Sequence, residues 1–467
     1  MPDKPVTAVI VGAGHRGVGY GSYSLTHPDE LQVVGVADPD PVRRRATAEK
    51  FNLPEKSLFE TAEELAAGPR IADAVINATG DEDHHNSAVA ALSAGYDLLL
   101  EKPMATTLSE SVHIVQEAEE TGRMLMICHE LRFTPLFQKV KEIFDSGALG
   151  QVINISHSEN VSYFHMAHSY VRGNWRSLTD SAPMIVAKCC HDLDLLYWFL
   201  DEKCTHLSSI GILTHFTAEN APPGAPNRCT DGCPASDSCP YFAPRIYLDS
   251  YPIKLAVSRS PKPLLKFIGN TAIHHPRLAR TLGRIIPTVR ILTEYSGWPR
   301  NTITENPESD AAVMESLRNG PYGRCVYHCD NSVVDHQVVS LSYASGVTAT
   351  LTMHGHSHEE GRTLRVDGSR ATLLGKFSYS EAWLDIHPHG LGEVSRFTFP
   401  AEVDQDSGHG GGDAGLIKQF VRAMQGDRAP LTSPRDALES HLMGFAAEAA
   451  RLGPVTVDMD ALRENVM

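Results

Sequence analysis

The stretch VTAVIVGAGHRG, residues 6–17, decides the fold of the N-terminal part of the chain. Its apolar residues, Val6–Val11, predict a buried strand, and the glycines at 12, 14 and 17 predict a sharp turn into a helix. The first glycine permits the tight turn, the second lets the backbone approach a phosphate, and the third lets helix and strand pack closely. Because free N–H groups at a helix start attract anions, we expect this turn to bind the pyrophosphate of a dinucleotide.

An acidic residue at the end of the next predicted strand supports this expectation. Asp38 lies about 21 residues beyond Gly17, close to the spacing of about 20 expected for an acid that binds the adenosine ribose. A carboxylate here accepts hydrogen bonds from the ribose hydroxyls and repels a 2′-phosphate, which favours NAD over NADP. The neighbouring arginines at 43–45 act in the opposite direction, so NADP stays the less favoured alternative.

Predicted strands and helices alternate over residues 1–125. The strands are assigned to residues 6–11, 32–36, 74–77, 98–101 and 124–128, and the helices to 16–25, 41–51, 84–94 and 109–121. This order predicts an α/β fold with a doubly wound parallel sheet. Ligands of such sheets bind beyond the carboxyl ends of the strands, where Asp38, Thr79, Lys102 and His129 fall.

Composition excludes several classes of protein. The 467 residues allow two or three domains, and a net charge of −16 with a pI of about 5.8 argues against nucleic acid or an anionic membrane as partner. No apolar run approaches the roughly 18 residues of a membrane helix, and the short apolar N-terminus leads straight into the glycine turn rather than into a signal-peptide cleavage site. We therefore expect a cytoplasmic protein with reduced thiols.

Four stretches occur in a specific order and spacing: GAGHRG at 12–17, NATGDEDHH at 77–85, EKP at 101–103 and KCCHDLDLLYW at 188–198. Together they resemble the Gfo/Idh/MocA family of nicotinamide-dependent oxidoreductases, over residues 1–200 and more loosely 325–375. The resemblance implies a Rossmann domain at 1–125 and, over 126–467, an α/β domain with a large open, mostly antiparallel sheet that often mediates homo-oligomers, here a dimer or tetramer. It leaves about 205–324 as an insertion and implies oxidation of sugars, polyols or related alcohols.

The resemblance also assigns catalytic roles. Lys102, in EKP, matches the family's catalytic lysine, and His191 matches the histidine that approaches the reacting carbon. Lys188, His191, Asp194 and Trp198 share one face of a helix predicted at 183–200. The chain departs from the family where many members carry an aspartate four residues before the histidine, because Ala187 stands there. Lys188 is then expected either to bind an anionic or carbonyl oxygen or to lower the pKa of Lys102 by like-charge repulsion.

Further candidates follow from the turn, the strand ends and a segment dense in aromatic and charged residues at 157–176. The residues expected to hold the cofactor are Gly12, Gly14, His15, Arg16, Gly17, Asp38, Thr79, His84, Glu101 and Lys102. The residues expected to contact substrate are His129, Arg132, Tyr163, His165, His168, Arg172, Trp175, Asp194 and His409. For 157–176 a strand followed by an exposed loop is an equally good interpretation, and the turn at 409–413 could instead serve as a helix cap with Asp413 as N-cap.

Cysteines form a separate pattern. Cys229, Cys233 and Cys239 lie in an insert rich in Pro, Gly and Asp, and Cys325 follows much later. Three close cysteines and one distant one suit a tetrahedral structural zinc ion. An iron–sulfur cluster and disulfides are the alternatives, the latter disfavoured in a cytoplasmic setting.

The sequence thus predicts an NAD-dependent oxidoreductase that acts on the hydroxyl of a carbohydrate or polyol. An NAD-dependent glycoside hydrolase, working by transient oxidation, elimination and re-reduction, is the alternative enzyme. The non-enzymatic alternative is a nucleotide-sensing scaffold without turnover, and the intact EKP segment argues against it.

Overall fold

The computed structural model describes residues 4–179, 181–260, 262–400, 411–426 and 430–466. The N-terminal part is a six-stranded parallel sheet in the order β3-β2-β1-β4-β5-β6. Its strands are β1 (Val6–Val11), β2 (Leu31–Ala37), β3 (Leu58–Phe59), β4 (Ala74–Asn77), β5 (Asp97–Leu100) and β6 (Leu125–Ile127). Its helices are α1 (His15–Gly21), α2 (Tyr23–Thr26), α3 (Pro41–Phe51), α4 (Ala62–Ala67), α5 (His84–Ser93) and α6 (Leu108–Thr121).

The ends of these helices follow from local chemistry. The Asp40 side chain caps α3 by accepting from the N–H groups of Val42 and Arg43, and Pro41 occupies the first helical turn, where no N–H is needed. Asn52 ends the helix in the left-handed conformation. Central β4 is buried at every position, as a parallel strand covered on both faces requires.

The C-terminal part is a nine-stranded sheet in the order β14-β13-β12-β11-β7-β10-β9-β8-β15. All its neighbours pair antiparallel except β7 and β10, so the predicted fold class is confirmed. Its strands are β7 (Val152–Ser162), β8 (Cys204–Ile212), β9 (His336–Tyr343), β10 (Thr348–Ser357), β11 (Gly361–Gly368), β12 (Ala371–Ser378), β13 (Ala382–Pro388), β14 (Ser395–Phe399) and β15 (Val457–Asp458).

Helices of the C-terminal part pack on this sheet, build the insertion or, in one case, return to the first sheet. They are α7 (Pro135–Asp145), α8 (Tyr163–His165), α9 (Met184–Ala187), α10 (Cys190–Leu200), α11 (Ala243–Tyr247), α12 (Tyr251–Ser258), α13 (Pro263–His274), α14 (Pro276–Gly283), α15 (Pro287–Thr293), α16 (Asp310–Asn319), α17 (Gly412–Met424), α18 (Pro434–Leu452) and α19 (Met459–Val466). A π-helical segment, Met166–Arg172, follows α8.

Two predictions about this part need correction. The helix predicted at 183–200 is broken, since α9 ends at Ala187 and α10 begins at Cys190, so Lys188 does not continue the helical face of His191. The insertion does not start at 205, because β8 runs to Ile212 and pairs with β9 and β15 inside the sheet. The longer elements of the inserted segment are helices, and its helices α13 to α15 share a small apolar core of their own.

Helix α17 returns to the N-terminal sheet. Its residues Leu416, Ile417, Phe420 and Val421 are buried in one apolar cluster with residues of β1, β4, β5 and β6. The first sheet therefore takes part of its cover from the far end of the chain. None of the helices in the described part of the chain has the length and apolarity that a membrane crossing requires.

Candidate functional site

The glycine turn after β1 leaves room where a phosphate group must approach. Gly12 has φ of +88°, and a Cβ there would collide with the carbonyl oxygen of Ala78. A Cβ on Gly17 would collide with the carbonyl oxygen of Gly12, so close packing of turn and helix requires both glycines. At Gly14, by contrast, no atom lies within 4 Å of the position of a Cβ. The turn thus keeps one open side, which fits a pyrophosphate.

Asp38 and Thr79 flank this turn at the carboxyl ends of β2 and β4. The Asp38 carboxylate is buried and accepts from the N–H of Ala13 at 2.7 Å and from the N–H of Asp40 at 2.9 Å. Arg43 Nε lies 3.8 Å from Asp38 Oδ1 and is more than half exposed. The Thr79 hydroxyl donates to Asn77 Oδ1 at 3.1 Å. These positions suit the adenosine half of a dinucleotide.

Arg16, in the first turn of α1, joins three segments. Its guanidinium donates to Glu101 Oε1 at 2.6 Å, to both carboxylate oxygens of Asp413 at 3.0 Å, and to the Tyr20 hydroxyl. Burial raises the pKa of Glu101, but the charges of Arg16 and Lys102 outweigh burial, and the pKa lies below its usual value. Glu101 Oε2 also accepts from the N–H of Lys102 at 2.8 Å, which orients the backbone at the lysine. Glu101 therefore acts here as a support for its neighbours.

The EKP segment is fixed by two buried histidines. Pro103 follows a cis peptide bond, and its carbonyl accepts from His84 Nδ1 at 2.6 Å. Met104 N–H donates to His441 Nε2 at 2.9 Å, while His441 Nδ1 donates to the Ala437 carbonyl at 2.8 Å. Both nitrogens of His441 are thus used in its neutral form, and burial lowers its pKa to about 4. These two hydrogen bonds fix the backbone directly after Lys102.

Lys102 and His191 converge between the two parts of the chain. Lys102 Nζ donates to the Ala187 carbonyl at 3.2 Å, at the end of α9 and one turn before His191. His191 lies in the first turn of α10 and is 5% exposed, with Nε2 at 3.1 Å from Glu130 Oε1. Burial lowers the pKa of His191, and the Glu130 charge opposes that effect in part. An ammonium group and an imidazole therefore lie at the carboxyl edge of the first sheet.

Lys188 was expected to lower the pKa of Lys102 by repulsion between like charges, but in the structure it pairs with two carboxylates. Its Nζ lies 3.0 Å from Glu360 Oε1 and 3.4 Å from Glu159 Oε1. Burial lowers the pKa of Lys188, but the two carboxylates outweigh burial and raise it well above the usual value. Its charge is neutralised by carboxylates, so repulsion of Lys102 is not what the structure supports. The same carboxylates connect it to His165, 3.0 Å from Glu360, and to Arg362, 2.6 Å from Glu159.

Three predicted substrate residues are buried in contacts with the protein itself. Arg132 donates two hydrogen bonds to Asp194, at 2.7 and 2.6 Å, and both side chains are almost fully buried. His129 lies beside them with no exposed surface, and burial lowers its pKa to about 3. These side chains support α10, and their predicted contact with substrate stays a prediction.

The other substrate candidates differ in their contacts within the protein. His168 hydrogen-bonds Tyr247 at 2.8 Å and stacks on Tyr322, and Tyr163 packs into the apolar cluster of the insertion. His165 is partly exposed next to Lys188, and Trp175 donates to Asp81 Oδ2 at 2.9 Å. His409 lies outside the described residues. His165 and Trp175 therefore stay substrate candidates, while His168 and Tyr163 have structural partners.

The four cysteines predicted to bind zinc line one cavity of about 10 Å³, together with Arg172. All nine cysteines are free, and no group of three or more His, Cys, Asp or Glu side chains among the described residues is arranged to hold a metal ion. Arg172 is fully buried and donates to Cys229 Sγ at 3.6 Å, to the Tyr241 carbonyl and to the Arg324 carbonyl. A guanidinium thus occupies a position beside the thiols, and the prediction of a metal centre is not supported.

Several charged residues of the site were not predicted. Glu130 lies inside HELR, between the predicted site residues His129 and Arg132. Glu159 and Glu360 come from β7 and from the connection between β10 and β11. The run HSHEE at 356–360 is dense in histidine and glutamate and was the signal that could have indicated Glu360.

Comparisons with known proteins show what this chain is similar to. A family model described as an oxidoreductase family with an NAD-binding Rossmann fold, GFO_IDH_MocA, matches residues 6–129. YteT of Bacillus subtilis, provisionally named an oxidoreductase, is 26% identical over 83% of this chain and 82% of its own length. Inositol 2-dehydrogenase 2 of Saccharopolyspora erythraea is 29% identical over 42% of this chain, and this chain spans 53% of that protein.

A solved structure resembles the whole fold. An oxidoreductase from Agrobacterium radiobacter, solved in complex with NAD+, L-tartaric acid and magnesium, superposes with a TM-score of 0.64 at 14% sequence identity. The match covers 98% of this chain and all of that one. At this identity the match concerns the fold.

Proposed function

Because this chain belongs to the Gfo/Idh/MocA family of oxidoreductases, we propose that it is an NAD-dependent dehydrogenase that oxidises a secondary hydroxyl of a small polyol or sugar. The observation that carries the proposal is the contact of Lys102 Nζ with the Ala187 carbonyl, one turn before His191. This contact brings an ammonium group and an imidazole together at the sheet edge next to the glycine turn. Alcohol oxidation needs such a pair, because the hydroxyl must be polarised and must lose its proton.

The proposed cofactor is NAD. Gly12, Gly14 and Gly17 leave a turn whose open side fits a pyrophosphate, and the buried Asp38 carboxylate would accept from ribose hydroxyls and repel a 2′-phosphate. When bound, the nicotinamide supplies the acceptor for the hydride. Arg43, exposed beside Asp38, is the residue that would have to turn toward a phosphate for NADP to bind instead.

Lys102 and His191 divide the proposed chemistry. The Lys102 ammonium donates a hydrogen bond to the substrate oxygen and stabilises the negative charge that grows as the proton leaves. His191 takes that proton, since an imidazole is basic enough to accept it near neutral pH. Glu101 holds the lysine backbone, and His441 holds the segment that follows it, so the ammonium is oriented before substrate arrives.

The proposed substrate is polyhydroxylated. Partly exposed His165 and Trp175 contact Tyr170 of the π-helical segment from two sides, and Trp175 donates to Asp81, so the three residues offer ring faces together with donors and acceptors. Hydroxyl-rich molecules are held by such mixtures of stacking and hydrogen bonds. The similarity to the inositol 2-dehydrogenase of S. erythraea supports a cyclic polyol as the first compound to test.

We also propose a homo-oligomer that uses the open face of the nine-stranded sheet. Ile210 and Ile212 of β8 are 82% and 55% exposed, and Val338 of β9 pairs with Ile210 and is 39% exposed. Adjacent exposed apolar side chains on a sheet face indicate a contact surface. Light scattering should give a mass above one chain, and Ile210→Lys should lower it, while Leu391→Lys, in the exposed turn after β13, should not. A wild-type monomer would contradict this proposal.

The enzymatic proposal is tested by a panel of polyols and sugars, with NADH absorbance as readout. We expect NADH to accumulate with at least one cyclic or linear polyol. Lys102→Ala should lower kcat by about 10²- to 10⁴-fold, whereas Lys203→Ala, an exposed lysine after α10, should leave it unchanged. Turnover unaffected by Lys102→Ala would refute the assigned role. NAD-dependent release of nitrophenol from nitrophenyl glycosides without net NADH would replace the proposal by a glycosidase.

A further inference from the structure

A glutamate outside the predicted site touches the proposed base. Glu130 is 1% exposed, and its Oε1 lies 3.1 Å from His191 Nε2, which is hydrogen-bond distance. A carboxylate has only lone pairs to offer, so the ring nitrogen that faces it carries the proton. The second ring nitrogen, Nδ1, is also buried and has no hydrogen-bond partner in the described part of the protein. His191 thus has one nitrogen tied to a carboxylate and one left with an open lone pair.

The segment that carries Glu130 is fixed against α10 at two points. Glu130 opens a short 3₁₀ helix, Glu130–Phe133, directly after β6. Two residues later Arg132 makes its two hydrogen bonds to Asp194, one turn along α10 from His191. Gly412 of α17 packs on the backbone of Glu130, where a side chain would not fit. The carboxylate therefore cannot drift from the ring without disturbing a buried ion pair.

The chain also lacks a carboxylate at the position nearest Lys102 on the preceding helix. Ala187 offers Lys102 only its backbone carbonyl. The carboxylate that contacts the Lys102–His191 pair is that of Glu130. It contacts His191, and it comes from the 3₁₀ helix after β6. The charge that balances a protonated His191 is thus supplied by Glu130.

We propose that Glu130 is a positioning residue that holds His191 in the tautomer protonated at Nε2 and makes Nδ1 the base of the reaction. This inference rests on the proposed function. In that reaction the substrate O–H bond breaks and its proton moves to Nδ1. The oxygen electron pair forms the carbonyl bond while the hydrogen on carbon leaves with its bonding pair to the dinucleotide. The imidazolium that results is neutralised by Glu130.

Other charged groups bear on the same ring, and their effects must be separated from that of Glu130. Those that face His191 from packed elements are Glu130, Lys102, His129, His441, Arg362 and, on its own helix, Asp194. The cations Lys102 and Arg362 and burial lower the pKa of His191, and Glu130 raises it. Removal of the Glu130 charge should therefore lower that pKa further.

The first measurement needs no activity. In protein labelled with ¹⁵N histidine, the His191 signals are identified by their loss in His191→Gln, since the chain has 23 histidines. We expect the Nε2–H tautomer in wild type, a mixture of tautomers in Glu130→Ala, and in Glu130→Gln a pKa of His191 lowered by about one unit or more. Glu448→Gln, a buried glutamate paired with Arg451 on α18, is the matched control and should change neither.

The second measurement uses turnover. Glu130→Gln should lower kcat about 10- to 100-fold with KM little changed, and should move the acidic limb of the kcat/KM profile to lower pH by the shift seen for His191. A merely structural role would lower activity and melting temperature without moving that limb. An Nδ1–H tautomer in wild type, or a pKa of His191 unchanged in Glu130→Gln, would overturn the inference. A protein inert toward every polyol that still shows the expected tautomer and pKa shift would refute the proposed function and support the Glu130 assignment.

Discussion

Alanine substitutions at Gly14 and Gly17 should separate an effect on cofactor binding from an effect on folding, because only Gly17 is packed against other atoms of the protein. At Gly14 the backbone has φ of −75°, and no atom lies within 4 Å of a Cβ, so alanine fits the folded chain. Alanine gains about 0.4–1 kcal/mol from the stiffer unfolded chain and loses about as much because it is a poor N-cap residue. The two effects nearly cancel, so Gly14→Ala should melt within about 2 °C of wild type.

Affinity for NAD should respond differently. The methyl group added in Gly14→Ala would fill the open side of the turn and keep the pyrophosphate from the backbone N–H groups. Each charge-assisted hydrogen bond lost costs about 1.5–3 kcal/mol, so the Kd for NAD should rise by about 10- to 100-fold or more. Gly17→Ala instead meets the Gly12 carbonyl and should lower stability by about 1–3 kcal/mol. Calorimetric titration with NAD and thermal melts of the two variants test this pair. Wild-type NAD affinity in Gly14→Ala would refute the assignment of the turn to the pyrophosphate.

Three further predictions concern charge. Asp194→Asn should leave the buried Arg132 cation without a charged partner and lower the free energy of unfolding by about 3–5 kcal/mol in denaturant titrations, whereas Asp145→Asn, at a surface pair, should cost under about 1 kcal/mol. Equal losses would contradict the burial argument. Asp38→Ala should weaken NAD binding about 10-fold and improve the NADP to NAD ratio of affinities; an unchanged ratio would remove Asp38 from the ribose site. Burial lowers the pKa of His168 to about 3, so this histidine stays neutral in the folded protein while the unfolded chain takes up a proton below about pH 6.5. Its contribution to stability is present above that pH and falls, by about 1.4 kcal/mol per pH unit, as pH drops toward 3. His168→Phe should flatten the acid side of the melting-temperature profile, and an unchanged slope would count against this.

Elements with strong local signals could be predicted from the sequence. The bounds predicted for α3, residues 41–51, are those of the structure, because the Asp40 cap, the proline in the first turn and the left-handed Asn52 all act within a few residues. The same holds for β4, whose three apolar residues are followed by Asn77 and are buried with it. The parallel order of the first sheet followed from the alternation of strands and helices.

The helix at 183–200 shows where local signals stop. The spacing of Lys188, His191 and Asp194 is helical, yet the backbone breaks at Lys188 and Cys189. Lys188 pairs with Glu360, 172 residues away, and no pattern near the lysine encodes that partner. Tertiary contacts of this kind override local periodicity.

The candidate site was predictable in part for the same reason. Lys102 and His191 belong to motifs of recognisable spacing, and their catalytic roles stay predictions. Glu130 belongs to no such motif, because its importance lies only in its distance to a ring on another element. Arg132 and Asp194 were predicted separately as ligands of substrate, although they are ligands of each other.

The return of α17 to the first sheet has a consequence for the order in which the chain matures. During synthesis the first six strands leave the ribosome long before Leu416 and Phe420 are made. Part of one apolar face of that sheet is therefore exposed to solvent until α17 has been synthesised. Arg16 likewise lacks its partner Asp413 until almost the whole polypeptide has been made. A fragment that ends at residue 129, where the family match ends, should therefore aggregate and express poorly. The nucleotide turn should become rigid only after α17, in the last part of the chain, has packed against the first sheet.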